Sequence, residues 1–150
     1  MLKKVEIWTD GACSSNPGPG GWAVILNYNG IEKELSGGLA QTTNNVMELT
    51  AVINALSALK EPCEVTLYSD SAYVVNPIVQ GWLVSWQLKG YKTADNKPVK
   101  NVELWQKLVT LLNVHKVNFV KVKGHADNEK NNRCDKLARA QVQKFMDVPF

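Results

Sequence analysis

The first forty residues have the pattern of consecutive β-strands. KKVEIWTD, residues 3–10, is rich in β-branched and aromatic residues and predicts a strand that ends at Asp10. A turn-rich segment, GACSSNPGPGG, follows it. WAVILNY and IEKELSG then flank Asn29-Gly30, the dipeptide typical of a two-residue type I′ hairpin turn. The pattern therefore predicts three consecutive, antiparallel strands.

The period becomes helical after the third strand. Apolar side chains recur at helical spacing between Thr43 and Lys60; Thr43 or Asn44 can cap the helix, and Pro62 lies just past its end. The later predicted elements are a strand at 64–70, a short helix from 71 to about 80 that Pro77 interrupts or ends, a helix near 101–113, a strand at 116–123 and a helix from about 131 to 145. A hairpin followed by strands that alternate with helices predicts an α/β fold, in which helices cover a mixed sheet.

Length and composition are those of one globular domain, residues 1–150. The chain is 45% hydrophobic and 21% charged, values that exclude disordered, collagen-like and low-complexity classes. It has no apolar run of about 20 residues for a membrane span, and its first residues lack the apolar core of a signal peptide. Three widely spaced cysteines lack paired zinc-ligand spacing, which favours a reduced, cytoplasmic setting.

The net charge of +3 conceals an asymmetry along the chain. Residues 1–72 carry 4 Lys+Arg and 8 Asp+Glu, whereas residues 73–150 carry 13 and 6. A basic half beside an acidic half is compatible with binding a polyanion. Charge alone is equally compatible with a solvated lysine surface.

Four acidic residues stand at positions that can converge. Asp10 and Asp70 end two predicted strands, and a helical crossover makes these strands candidates for parallel neighbours, whose carboxyl ends form ligand sites. Glu48 lies in the first turn of the first helix and Asp135 early in the last, each at the border of an apolar stripe. Converging carboxylates need a cation, and oxygen ligands alone favour Mg²⁺ or Mn²⁺. The alternative is four separate roles as turn formers, helix-terminus charge and surface charge.

The motifs that carry these acids resemble those of bacterial ribonuclease H type 1. TDGACSSNPGPGGWAVIL, TTNNVMEL, YSDSAYVV, KPVKNVELW and VKGHADNEKNNRCDKLARA occur in the family's order, and the resemblance extends from residue 3 to about 142. It implies a ribonuclease H-like fold with a five-stranded mixed sheet flanked by helices. It also implies an endoribonuclease that hydrolyses the RNA strand of RNA–DNA hybrids.

The resemblance also implies a set of catalytic residues. Asp10, Glu48, Asp70 and Asp135 match the acids that bind two Mg²⁺ ions, for which Mn²⁺ can substitute, and His125 matches a loop histidine that assists proton transfer or product release. The implied products carry 5′-phosphate and 3′-hydroxyl ends. We expect the protein to be a monomer that does not bind a membrane and that has no obligate protein partner.

Nine further residues match positions that contact the hybrid in the family. They are Cys13, Asn16, Asn44 and Asn45 at the minor groove, Thr43 and Asn101 at a DNA-strand phosphate, and Trp86, Lys89 and Tyr91 in a basic protrusion, residues 81–100, here called the handle. Helix capping is a competing role for Thr43 and Asn44. Within the handle we expect Trp82 to anchor the segment to the core and Trp86 to contact the substrate.

Two other classes of function compete with this interpretation. A phosphoacceptor signalling domain also gathers acids at strand ends, but its regular βα alternation conflicts with the Asn29-Gly30 hairpin. A non-catalytic hybrid-binding module on the same fold is the second alternative, against which the presence of all four acids argues. The handle carries Gln87-Leu88-Lys89 where relatives often have a basic run, so we expect a weaker grip on phosphates.

Overall fold

The computed structural model describes residues 1–123 and 128–146. This part of the chain contains five strands and five helices, in the predicted order with one further helix at residues 82–88, in the handle. Their bounds are β1 Lys3–Cys13, β2 Gly18–Tyr28, β3 Ile31–Thr42, α1 Asn44–Ser57, β4 Cys63–Ser69, α2 Ala72–Val79, α3 Trp82–Leu88, α4 Val102–Val114, β5 Lys116–Lys121 and α5 Glu129–Met146. Among the described residues, no helix is both long and apolar enough to span a membrane.

The five strands form one mixed sheet in the order β3-β2-β1-β4-β5. β2 is antiparallel to both of its neighbours, whereas β1, β4 and β5 run parallel. The predicted mixed sheet and the predicted parallel pairing of β1 with β4 are confirmed. Between β2 and β3, Asn29 and Gly30 both have positive φ, 51° and 82°, which is the conformation of the predicted type I′ turn.

Helices cover the two faces of the sheet. Successive strand residues point to opposite faces, so Ile7 and Val24 belong to the larger core beneath α1 and α4, while Trp8 and Ile25 pack against α5. Close approach of α5 depends on Gly21 of β2, where an added Cβ would lie 2.3 Å from the carbonyl oxygen of Ala138. This contact fixes the height of α5 above the sheet.

Four predicted element boundaries are wrong. β1 does not end at Asp10 but continues to Cys13, because its last residues pair with Gly20 and Gly21 of β2. Pro77 neither interrupts nor ends α2, which continues to Val79 and closes its last turn with a hydrogen bond from the Gln80 amide to Asn76. The last strand ends at residue 121 and the last helix begins at residue 129, each about two residues earlier than predicted.

The two handle tryptophans have the reverse of the expected packing. Trp86 packs edge-on against the fully buried Trp105, with ring centroids 5.4 Å apart and an interplanar angle of 73°. Trp82 is 45% exposed. The expectation that Trp82 is the anchor is therefore wrong, since both residues lie on the same short helix and Trp86 takes the side that faces α4.

Candidate active site

Sheet topology places two of the predicted acids together. The parallel pairing of β1 with β4 ends at Trp8 and Tyr68, and Asp10 lies two residues further along β1. Asp70 directly follows β4. Glu48 reaches this point from the second turn of α1, one turn later than predicted. Side chains from two strand ends and one helix thus meet at the carboxyl edge of the sheet.

Asp10, Glu48 and Asp70 form a compact cluster of carboxylates. Each contributes an oxygen, and these oxygens all lie within 4.8 Å of one another. Asp10 is 6% exposed and Glu48 4% exposed. The Gly11 amide donates a hydrogen bond to Asp10 Oδ1 at 2.9 Å, which orients this carboxylate toward the cluster.

Burial and like charge both make ionisation of the cluster unfavourable. Burial, and after it the charge of Asp70 beside it, raise the pKa of Asp10 from 3.8 to about 7. The pKa of Glu48 is raised well above its usual range, chiefly by burial and then by the charges of Asp10 and Asp70. A cation between the three carboxylates would remove both penalties.

The surroundings of Glu48 fit a divalent metal ion. Its Oε1 is buried and has no hydrogen-bond partner among the residues that the structure describes. Gly11 forms the adjacent wall, where an added Cβ would lie 2.5 Å from the Glu48 amide nitrogen and 2.8 Å from Oε1. An all-oxygen donor set with one unpartnered buried oxygen is typical of sites for hard cations such as Mg²⁺.

Asp135, the fourth predicted acid, lines the same cleft without belonging to this cluster. The cleft, here called the metal cleft, has a volume of about 440 Å³ and includes the three clustered acids, Asp135 and Arg139. Asp135 Oδ2 forms an ion pair with Arg139 Nε at 3.2 Å, one turn along α5. The charge of Asp135 contributes to the raised pKa of Asp10, so the two carboxylates interact through space.

The residues predicted to contact the minor groove lie beside the metal cleft. Asn44 and Asn45 line it directly. Asn16 Oδ1 accepts a hydrogen bond from the Asn44 amide at 2.8 Å, which ties the loop after β1 to the start of α1. The Cys13 thiol donates to the carbonyl oxygen of Ser15 at 2.8 Å and thus holds the same loop.

Thr43 caps α1, as its competing role predicted. Its Oγ1 accepts a hydrogen bond from the Val46 amide at 3.2 Å. The Thr43 side chain remains partly exposed. A contact with phosphate at this position stays a prediction that is compatible with the cap.

Asn101 is held at the start of α4 by an unusual backbone conformation. Its φ is 58°, and its Nδ2 donates to the Tyr73 hydroxyl at 2.9 Å. In the handle, Lys89 is exposed, whereas Tyr91 and Trp86 are partly buried against the core. Substrate contact by these three handle residues stays a prediction.

Sequence reasoning missed two residues at the site. Arg139 stands four residues after Asp135, a spacing that places an acid and a base on the same helix face and could have identified the pair. Tyr73 lines the metal cleft and also binds Asn101, a connection for which the sequence carries no signal. His125, the predicted proton-transfer residue, lies outside the described residues.

Comparison with known families and proteins identifies relatives over almost the whole chain. The family model described as RNase H matches residues 2–143. The chain is 61% identical over 143 residues to the ribonuclease H of Acetivibrio thermocellus, covering 95% of this chain and 97% of that relative. It is 60% identical over 144 residues to the ribonuclease H of Chlorobium phaeovibrioides, covering 96% and 99%.

Solved structures share the fold. LC9-RNase H1, described as a type 1 RNase H with the type 2 active-site motif, superposes with a TM-score of 0.85 at 26% identity, covering 96% of this chain and 74% of that one. LC11-RNase H1 in complex with an RNA/DNA hybrid gives a TM-score of 0.68 at 28% identity, covering 95% and 99%. Similarity of sequence and of fold thus extends over nearly the whole chain.

Proposed function

Because this chain belongs to the ribonuclease H family, we propose that it is an endoribonuclease that hydrolyses the RNA strand of RNA–DNA hybrids. The observation that carries the proposal is the cluster of Asp10, Glu48 and Asp70, whose like-charged carboxylates, two of them buried, could hold a cation. The same cleft is bordered by asparagines, whose amides donate and accept hydrogen bonds and so suit the 2′-hydroxyls of RNA.

We propose Mg²⁺ as the cofactor, with two ions when substrate is present and Mn²⁺ as a substitute. Asp10, Glu48 and Asp70 would hold them, and Asp135 would complete the set from α5. When bound, such ions lower the pKa of the attacking water and stabilise the charge on the leaving 3′-oxygen. The products would carry 5′-phosphate and 3′-hydroxyl ends.

The chain's own residues orient the reaction. The Gly11 amide fixes the Asp10 carboxylate, and the absence of a side chain at Gly11 keeps the approach to Glu48 open. Burial of Asp10 and Glu48 excludes bulk water from their carboxylates. His125 would take or supply the proton that the reaction exchanges, because an imidazole titrates near neutral pH.

Strand discrimination would come from residues in and around the metal cleft. Asn16, Asn44 and Asn45, with the loop around Cys13, would contact the 2′-hydroxyls of the RNA strand. Thr43 and Asn101 would grip a DNA-strand phosphate. Lys89, Trp86 and Tyr91 would extend this contact along the handle. We further propose that the protein acts as a cytoplasmic monomer.

A cleavage assay tests this proposal. The chain is incubated with a hybrid labelled on its RNA strand, with Mg²⁺, with Mn²⁺ and with EDTA, beside Asp10→Asn and Glu6→Gln variants. Glu6→Gln is the matched control, since it removes an exposed carboxylate from the same strand. We expect metal-dependent internal cleavage by the wild type and by Glu6→Gln, and at least a hundredfold loss in Asp10→Asn.

The same assay separates the alternative function. A chain that binds the hybrid but does not cut it with either metal ion would be a non-catalytic hybrid-binding module. Equal activity of Asp10→Asn and the wild type would also contradict the proposed site.

A further inference from the structure

Arg139 is the charged residue of the metal cleft, among those the structure describes, that the proposed mechanism leaves without a role. Its guanidinium pairs with Asp135 across one turn of α5, with Nε 3.2 Å from Oδ2. The Arg139 side chain is 68% exposed and that of Asp135 39% exposed. An exposed pair of this kind is weak, because water screens both charges, so a stronger partner can displace either member.

Arg139 is also the only cation among the described residues that line the metal cleft. The same wall carries four acidic side chains, three of them in the cluster. A phosphodiester that enters this cleft is repelled by every other charged group there until divalent ions are bound. Arg139 is therefore the one side chain of the described lining that attracts the substrate backbone directly.

Arg139 lies where the metal cleft joins a second cleft of about 520 Å³. The two clefts share Gly11, Asn44, Asp135 and Arg139. The second cleft continues along α5 past Val142, on the side of the loop that Cys13 begins. A strand whose scissile phosphate lies at the clustered acids would run into this second cleft and pass Arg139.

We propose that Arg139 is a substrate-binding residue that exchanges partners. In the free protein it pairs with Asp135; when the hybrid binds, its guanidinium contacts the RNA-strand phosphate next to the scissile one and releases Asp135 toward the metal ions. This inference rests on the proposed function. A guanidinium suits the role because its fork of N–H donors matches a phosphate as well as a carboxylate.

The exchange has a consequence for metal binding without substrate. While Arg139 pairs with Asp135, its single positive charge offsets the charge of one of the four acids of the cleft. Removing the guanidinium raises the local negative potential, so Mg²⁺ binds more tightly to the free protein. Hybrid affinity changes in the opposite direction, because a phosphate contact is lost. A merely structural role for Arg139 predicts neither change.

The test compares Arg139→Gln with Lys136→Gln, a matched loss of one charge from the same helix. Lys136 is exposed and lines a different cleft, with Glu129, Asn132 and Arg133. Hybrid affinity is measured in the Asp10→Asn background, so that the RNA stays intact, at salt from about 50 to about 200 mM. Mg²⁺ midpoints come from thermal denaturation of each single variant without hybrid.

For Arg139→Gln we expect a hybrid dissociation constant raised about threefold or more and a slope of log affinity against log salt reduced by about one. We also expect saturation at about half the Mg²⁺ concentration or less, because one opposing charge is gone. Lys136→Gln should shift both quantities less. Arg139→Lys should restore the salt slope but not the full affinity, because an ammonium lacks the planar fork.

Two results would overturn the inference. An unchanged salt slope in Arg139→Gln would exclude the phosphate contact, and an unchanged Mg²⁺ midpoint would exclude the competition for Asp135. Failure of the proposed function is distinguishable, since the wild type would then not cleave the hybrid with either metal ion.

Discussion

Asp10 destabilises the metal-free fold at neutral pH. Its pKa is raised from 3.8 to about 7, so the folded state holds this proton more tightly than the unfolded state. A raised carboxyl pKa means that stability is complete below about pH 4 and declines as the pH rises toward 7. In EDTA we expect Asp10→Asn to raise the free energy of unfolding at pH 7.5 by roughly 1–3 kcal/mol. The stability of this variant should also decline less than that of the wild type between about pH 4 and 7.

Urea denaturation at several pH values measures this effect. Glu6→Gln, on the same strand, serves as the control and should leave stability nearly unchanged, because Glu6 is exposed. Added Mg²⁺ should stabilise the wild type and have little effect on Asp10→Asn. A variant less stable than the wild type in EDTA would contradict the unfavourable charge at this position.

At the scale of single residues, sequence reasoning succeeded where position in the topology decided the outcome. Asp10 and Asp70 were predicted together because a crossover helix implied parallel strands whose ends meet. The Asp135–Arg139 pair was missed because each residue was considered by its own motif. A rotamer choice decides whether Asp135 faces the cluster or its helix neighbour, and the pattern of the chain carries no information on it.

The handle helix α3 depends on one of its two tryptophans. Trp86 packs against Trp105 and the larger core, whereas Trp82 is 45% exposed. We expect Trp86→Leu to lower the free energy of unfolding by about 2–3 kcal/mol and Trp82→Leu by less than about 1 kcal/mol. Thermal or urea denaturation measures both changes.

Hybrid binding by the same two variants then separates packing from substrate contact. If Trp86 only anchors the handle, Trp86→Leu weakens hybrid binding no more than the reduced fraction of folded protein explains. Trp82→Leu then weakens binding through lost contact with the sugars of the hybrid. Equal losses of stability in the two variants would contradict the packing of α3.

Element boundaries were the least predictable feature, for identifiable reasons. β1 was predicted to end at Asp10 because Gly, Ser and Asn that follow are weak strand formers, yet pairing with Gly20 and Gly21 extends the strand to Cys13. Tertiary pairing thus overrides local preference. The packing of Trp82 and Trp86 was predicted the wrong way round for the same reason, since only the position of α4 decides which face of α3 is buried.

At the scale of the whole molecule, charge is divided between the two partners of the proposed chemistry. The first 72 residues contribute the three clustered acids, and the basic half contributes the handle and α5. Counting charged residues along the chain was sufficient to predict this division, and the order of elements was sufficient to predict the mixed sheet. The depth of the metal cleft and the distance of α5 above it were not predictable, since they depend on contacts such as Gly21 with Ala138.

The handle carries a modest positive charge, so an added cation there should strengthen binding of the hybrid. Leu88 is 83% exposed at the end of α3, so Leu88→Lys adds a positive charge without removing core contacts. We expect hybrid affinity in the Asp10→Asn background to rise about twofold to fivefold at low salt, with a salt slope steeper by up to about one. Val114→Lys is the control, since Val114 is also exposed but precedes β5, at the opposite end of the sheet from Asp70. Equal gains from both variants would mean that net charge, rather than the handle, attracts the hybrid.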